Sequence, residues 1–425
     1  MIKESEYKKR RQKLSKKLHN NSLGIVFSSP LKVRSNDTHY PYRQNSNFYY
    51  LCGFREDNSA LVFSKTKDEF KTILFVQKKE PSLELWDGKR LGVEASKQMF
   101  DVDEVYAYDE FNQKIKELLL DKNSLYTEFD IGDERIASVL GMAKNIYTHH
   151  NISHKIQKLR LIKSKSEITL IKKAIKITKK AHHDAIKFAK VGKYEYELQA
   201  NIEYTFKKYG AYSDAYTTIV ASGNNANTLH YIKNTKKMKE GELVLIDAGC
   251  EYEYYASDIT RTIPVNGVFS KAQKELYSLV LDTQLKIISM IKPDAKRSAL
   301  QEEAEILLVK GLKKLGILRG KTKEIIEQKK HKKYYPHGIG HWMGLDVHDM
   351  APYRYKNKDE IALKNRMVLT IEPGIYIDKK DKSVPKKYRG IGVRIEDNIL
   401  VTKEGYKNLS AKIAKSIDEI ESLAR

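Results

Sequence analysis

Two cysteines in 425 residues, Cys52 and Cys250, stand in separate halves of the chain without the paired spacing of a zinc knuckle or a redox motif. A disulfide scaffold is excluded, and a reducing cytoplasm is expected. Long apolar runs are missing as well: a stretch such as Leu243 to Ile246 reaches strand length, against the ~20 residues that a membrane-spanning helix needs. The opening residues, with Lys8, Lys9, Arg10 and Arg11, carry no apolar core of an export signal, so neither export nor a membrane is expected. Internal repeats and low-complexity tracts are absent too. Acidic residues are the scarcer charge, 55 Asp and Glu against 78 Lys and Arg, which leaves a formal net charge of +23.

Such a charge raises the question of a polyanionic partner, because clustered Lys and Arg release counterions from phosphate. Here the cations are spread out, often at helical spacing with Glu as in Glu302 to Lys323, and clusters such as Lys329, Lys330, Lys332 and Lys333 are short. A solvated Lys-rich surface is expected, with no specific nucleic-acid partner.

A hydrophobic content of 41% can fill a sizeable core, and this length predicts two domains. The first reads as α/β, with apolar runs at Leu23 to Phe27, Ala60 to Phe63 and Ile73 to Val76 and a helical pattern through Phe111 to Leu120. Between Asn151 and Ser164 the pattern turns basic. Ser164 with Glu167 then forms a capping box opening a long helix, which places the boundary at 155/156. In that helix Ile168, Ile171, Ala174, Ile175, Thr178 and Ala181 make one apolar stripe. Further helices are predicted over Glu195 to Lys208, Lys271 to Ile291 and Ala299 to Leu315, with a last one at the C-terminus. Strands are predicted at Thr217 to Ala221, Leu243 to Ile246, Ile259 to Val265, Met367 to Ile371 and Gly392 to Val401.

The chemistry gathers at the ends of these strands. Leu243 to Ile246 runs into Asp247, and Asp258 follows just before the β-favouring Ile259 to Ile263, so a strand, turn and strand can set the two carboxylates side by side. Paired anions resist ionisation unless a cation or a shared proton intervenes. Read alone, each Asp is as readily a turn residue or a helix cap. His337, His341 and His348 then fall within one Gly-containing segment, where ordinary surface or core histidines are an equal reading. Met367 to Ile371 delivers Glu372, and Glu396 lies among Ile and Val, where an unpaired carboxylate is costly to bury. Together they make an oxygen-rich site with more negative charge than one divalent ion needs, so two adjacent ions are expected.

In this order and context, Asp247, Asp258, His341, Glu372 and Glu396 resemble the metal ligands of the pita-bread metallopeptidases, a group that includes methionine aminopeptidase, aminopeptidase P and prolidase. The likeness spans Leu161 to about Leu409. Arg43 to Phe54, His337 to Asp349 and Arg389 to Asp397 resemble the aminopeptidase P branch. Arg366, where the family often has glycine, and Cys250 depart from the pattern without touching a ligand.

The resemblance implies an α/β N-terminal domain, residues 1–155, ahead of an α+β pita-bread (creatinase/methionine aminopeptidase-like) catalytic domain, residues 156–425. It implies two divalent ions, manganese expected and cobalt, zinc or iron compatible. Asp258 and Glu396 would bridge them, Asp247 would complete one site, and His341 with Glu372 the other. His348 would stabilise the intermediate and Glu372 would shuttle the proton. His230 matches a residue near the scissile peptide and Tyr216 one near the free amino end, while His337, Tyr376 and Arg394 surround the proline ring or support it. Arg394 is equally a balance for the buried acids that orients Asp247. Trp86 resembles a tryptophan that reaches a neighbouring subunit's active site, which would make it a substrate-binding residue there, so a homo-oligomer, dimer or tetramer, is expected, though a core role for Trp86 is an equal reading.

The implied activity is hydrolysis of the bond between an N-terminal residue and a following proline. Prolidase, which takes only dipeptides, is the alternative enzyme. A metal-free pita-bread binding module is the alternative of another class, and the five filled ligand positions speak against it.

Overall fold

The computed structural model describes residues 2–129, 132–146, 148–355 and 357–425. The chain divides into two compact units, Met1–Arg160 and Leu161–Arg425. The expected boundary at 155/156 falls inside helix Ser153–Arg160, which the first unit keeps whole.

The first unit is built on a mixed six-stranded sheet. Ser22–Phe27 pairs antiparallel with Ala60–Lys65, and that strand pairs antiparallel with Phe70–Val76. Glu104–Ala107 adds in parallel at one edge, Ser124–Thr127 pairs in parallel with Ser22–Phe27, and Thr148–Asn151 closes the other edge. The three strands expected from their apolar runs are the central ones, buried because both sheet faces are covered. The other three went unpredicted because each is four residues long, and Thr148–Asn151, an edge strand with no buried residue, carries no apolar alternation. Helix Phe111–Leu119 packs Phe111, Ile115 and Leu119 into this core.

The segment Arg43 to Phe54 contains a helical turn, Ser46–Cys52. The Asn45 side chain caps it by accepting from the amides of Asn47 and Phe48, and Gly53 ends it at φ +73°. A Cβ on Gly53 would lie 2.6 Å from the Tyr7 ring, so this motif is fixed by packing as well as by dihedral.

In the second unit the long helix is Lys165–Phe188, capped by the reciprocal Ser164 and Glu167 bonds, and every residue of its predicted stripe is buried. Helices Glu195–Lys208, Lys271–Ser289 and Arg297–Lys314 follow, and Ile417–Ala424 is the last. One antiparallel sheet runs Ile219–Ser222, Leu243–Asp247, Thr260–Pro264; another runs Val368–Ile371, Asp397–Val401, Tyr406–Asn408.

The single strand expected over Gly392 to Val401 is in fact two. Gly392–Arg394 pairs with Gly374–Tyr376, Asp397–Val401 pairs with Val368–Ile371, and between them the chain changes partner. Ile395 donates to Pro373 O at 3.3 Å and Glu396 donates to Thr260 O at 3.1 Å. The break stitches this segment to the first sheet and puts Glu396 at the seam.

Among the described residues no helix is long and apolar enough to cross a membrane. Both cysteines are buried and unpaired, and burial pushes the Cys52 thiol up to about 12 and the Cys250 thiol up to about 11, which makes both poor nucleophiles.

Arg366 sits at φ +71°, with its amide donating to Val401 O at 2.8 Å and its carbonyl accepting from the Lys163 amide at 2.9 Å. A side chain resists this left-handed backbone, and glycine adopts it freely. Because the Arg366 side chain is exposed, Arg366→Gly is expected to raise unfolding stability by about 0.5 to 1 kcal/mol in urea titration without altering activity.

Candidate metal centre and active site

Backbone pairing brings the acids together before any side-chain interaction is counted. Asp247 ends the central strand, opposite Ile219 on one side and Thr260 on the other. Asp258 lies two residues ahead of Thr260, its amide donating to Asn398 Oδ1 at 3.1 Å while Asn398 Nδ2 donates to Asp258 O at 2.5 Å. Glu372 follows Val368–Ile371, its amide donating to Ile339 O at 2.9 Å. From helix Lys271–Ser289 the fully buried Gln284 donates to Ile371 O at 3.2 Å and Ile395 O at 3.0 Å, clasping the residues just before Glu372 and Glu396. His182 of the long helix meets Ala248 O at 3.0 Å, and burial pushes its pKa down to about 3, so a neutral imidazole holds the residue after Asp247.

His341 arrives on a close-packed segment. A Cβ on the preceding Gly340 would lie 1.9 Å from Thr370 O, so no side chain fits there. The His341 amide donates to Thr370 Oγ1 at 3.0 Å and its Nδ1 meets Trp342 O at 3.0 Å. That bond assigns the ring proton to Nδ1 and turns Nε2 to the acids, 3.2 Å from Asp258 Oδ2, 3.6 Å from Glu372 Oε1 and 4.0 Å from Glu396 Oε1.

Three overlapping donor groups result: Asp258, His341, His348; His341, Glu372, Glu396; and Asp247, Asp258, Glu396, with the atoms of each within 4.8 Å of one another. The donors are carboxylate oxygens and imidazole nitrogens, a set that suits divalent ions. Glu396 is 2% exposed, and its Oε1 is buried without a hydrogen-bond partner. Such an orphan is costly in an apolar interior and fits a cation.

The electrostatics agree. Burial, then the charge of Asp258, holds the Glu396 carboxyl well above its usual range, and burial holds Glu372 up at about 7 against the pull of His341. Burial also raises Asp247, opposed by Arg394, whose Nη2 donates to Asp247 Oδ2 at 2.6 Å. Burial presses His341 down, but the hydrogen bond and charge of Asp258, then Glu372, prevail and keep it at about 9.

The donors open onto a cavity of about 750 Å³ whose lining includes Tyr216, His230, His337, His348 and Arg394. The Tyr216 hydroxyl donates to Asp247 Oδ1 at 2.6 Å. His348 packs edge-on against His341 with centroids 4.2 Å apart, and burial, then the neighbouring His341 charge, pushes its pKa down. Tyr376 is not a lining residue. It stands behind the wall, accepting from Arg394 Nη1 at 2.9 Å and meeting His337 Nε2 at 2.8 Å. Burial, then the Arg394 charge, holds His337 down at about 4, so its ring is neutral. Trp86 lies 84% exposed on helix Pro81–Asp87 of the first unit, which excludes a core role.

Some supporting residues escaped the sequence reading. Lys163 and Asp349 form a buried ion pair at 2.7 Å that ties the segment after His348 to the start of the unit, and Thr260 Oγ1 donates to Glu396 Oε2 at 2.9 Å. Lys163 could have been noticed as a lysine directly before a capping box. Gln284 could have been noticed as an amide on the apolar face of a predicted helix.

Residues 169–403 match the model of metallopeptidase family M24, and residues 7–126 match that of the aminopeptidase P N-terminal domain. The Xaa-Pro aminopeptidase of Haemophilus influenzae is 42% identical over 418 residues, spanning 98% of this chain and 96% of that protein. The Xaa-Pro aminopeptidase of Escherichia coli is 40% identical over 434 residues, spanning 99% and 98%. A solved structure of zinc-substituted E. coli aminopeptidase P in complex with product has a TM-score of 0.95 at 38% identity, covering 100% of this chain and 98% of that one. Neither the prolidase alternative nor a non-catalytic module is favoured by these matches, and the fold is the expected α/β domain followed by a pita-bread catalytic domain. On agreement along its full length, the chain belongs to metallopeptidase family M24, with an aminopeptidase P N-terminal domain ahead of the catalytic one.

Proposed function

We propose that the chain is a dinuclear metal-dependent aminopeptidase that hydrolyses the bond between an N-terminal residue and a following proline. The observation that carries this reading is the set of three donor groups sharing Asp258, His341 and Glu396, with a partnerless Glu396 oxygen at their centre. Asp258 and Glu396 are the carboxylates that belong to two groups each, and with two oxygens apiece they would hold both ions. Asp247 would complete one site, and His341 with Glu372 the other. Manganese is the metal best suited to a ligand set dominated by carboxylates, with cobalt, zinc and iron compatible.

Divalent ions at this site supply Lewis acidity and lower the pKa of water. The protein does the rest. Arg394 and Tyr216 hold both oxygens of Asp247, which fixes its orientation. Glu372 takes the proton from the attacking water and carries it to the departing proline nitrogen. His348, neutral at ordinary pH, donates an N–H to the developing oxyanion, and His230 lies beside the scissile carbonyl. Tyr216 stands near the free amino end. Proline makes a tertiary amide without a hydrogen, so its ring is selected by shape, with His337 as a wall that Tyr376 and Arg394 stiffen from behind.

The cytoplasmic reading rests on two unpaired buried thiols. The homo-oligomer reading rests on Trp86 and Leu85, 84% and 82% exposed on one short helix.

Purified protein is expected to cleave Xaa-Pro-Yaa tripeptides and longer peptides faster than Xaa-Pro dipeptides, with little action when alanine replaces proline. Comparing the three at equal concentration tests this: strict dipeptide preference makes it a prolidase, and indifference to proline removes the assignment.

His348→Ala is expected to keep both metals by elemental analysis while turnover falls on the order of 10²-fold. Loss of metal would instead make His348 a ligand.

Proton linkage gives a further outcome. Glu372 is held at about 7 against an ordinary 4.5, and His341 at about 9 against 6.5, so the metal-free fold binds protons more tightly than the unfolded chain. Both contributions are present at low pH and lost as pH rises through the folded values. Below about 6.5 the lowered His182 and His337 act the opposite way, so the melting temperature of chelated protein is expected to fall as pH rises from about 7 to about 9, and added manganese to restore it most at the upper end. A pH-independent gap between metal-free and loaded protein would contradict this.

A further inference from the structure

Arg297 is the first residue of helix Arg297–Lys314 and lines the same cavity as the metal donors. Two contacts fix its guanidinium: Nε donates to Gly340 O at 3.0 Å, and the group stacks 4.3 Å from the centroid of the Tyr353 ring. Both terminal nitrogens, Nη1 and Nη2, meet no protein acceptor among the described residues. The cavity's other arginine, Arg394, has spent its Nη groups on Tyr376 and Asp247, and no lysine lines the wall.

A guanidinium immobilised on one edge with two donors unspent is a receptor for a planar anion, because carboxylates accept its paired N–H groups in a fork. Gly340, whose carbonyl it holds, directly precedes His341, so the guanidinium is anchored on the segment that brings a metal donor to the same cavity. Two divalent ions, when bound, would balance the four carboxylates of the centre, so a peptide anion would meet no net repulsion there. Every unblocked peptide carries one such anion, its C-terminal carboxylate, and only in short substrates does it lie close to the scissile bond.

Resting on the proline-aminopeptidase reading, we infer that Arg297 binds the C-terminal carboxylate of short substrates, so that this enzyme favours tripeptides whose carboxylate is free. Longer chains, whose carboxylate lies beyond the cavity, gain nothing from it.

The manganese-loaded enzyme tests this with Ala-Pro-Ala and its C-terminal amide. In the wild type, kcat/KM for the free acid is expected to exceed that for the amide about tenfold, with the difference in KM. In Arg297→Met the ratio collapses to about one at unchanged metal content, and Arg297→Lys recovers part of it. An equal ratio in wild type and Arg297→Met, or an equal loss on both substrates, would overturn the inference and leave Arg297 only the task of holding Gly340. Calorimetric titration with the product Pro-Ala and its amide reads the same preference without turnover. Failure to cleave either peptide would thus count against the proline-aminopeptidase reading, whereas equal binding of acid and amide, or no binding of either, would count against the role of Arg297.

Discussion

Four carboxylates, Asp247, Asp258, Glu372 and Glu396, are held within a few ångströms of one another in a largely buried volume, and their mutual repulsion is the constraint that the second unit is built to withstand. Left alone, such a cluster would keep its protons or push its strands apart. The carboxyl groups do lean that way, Glu372 and Glu396 both raised by burial. What resists is mostly backbone: strand pairing at Asp247, the Asn398 clasp on Asp258 and the Gln284 clasp on the residues before Glu372 and Glu396.

This division of labour leaves the carboxylate oxygens free for a cation. Asp247 has both oxygens committed within the protein, to Tyr216 and Arg394, whereas Glu396 has one, to Thr260; Arg394 continues through Tyr376 to His337. One cation is thereby coupled to an acid of the donor cluster and to a histidine of the cavity wall. The neutral state of His337 belongs to the same arrangement, since a second positive charge beside Arg394 would be disfavoured.

The two histidines at the centre are set apart by surroundings. His341 points Nε2 at Asp258 and Glu372, which favour its charged form until a metal replaces the proton. His348, edge-on against it, is driven the other way, toward its neutral form, by burial and then by the His341 charge.

Much of this was legible in order and local pattern. The capping box at Ser164 and Glu167, the apolar stripe of the long helix, and the runs ending at Asp247 and Glu372 depend on neighbours in the chain, where periodicity and capping act. The strand ends carrying acids could be read for the same reason. The break between Arg394 and Asp397 could not, because Ile395 and Glu396 leave the ladder only to bond Pro373 and Thr260, and nothing in a β-favouring run announces a distant carbonyl. Lys163 with Asp349, Gln284 under two strands, and Arg297 on Gly340 O likewise join residues far apart in sequence. The sequence by itself therefore determined which residues could serve a metal and which elements would carry them. Tertiary structure alone decided which oxygens stay unpaired, which arginine is spent and which is free, and which histidine holds a proton, since burial and charge act through space rather than along the chain.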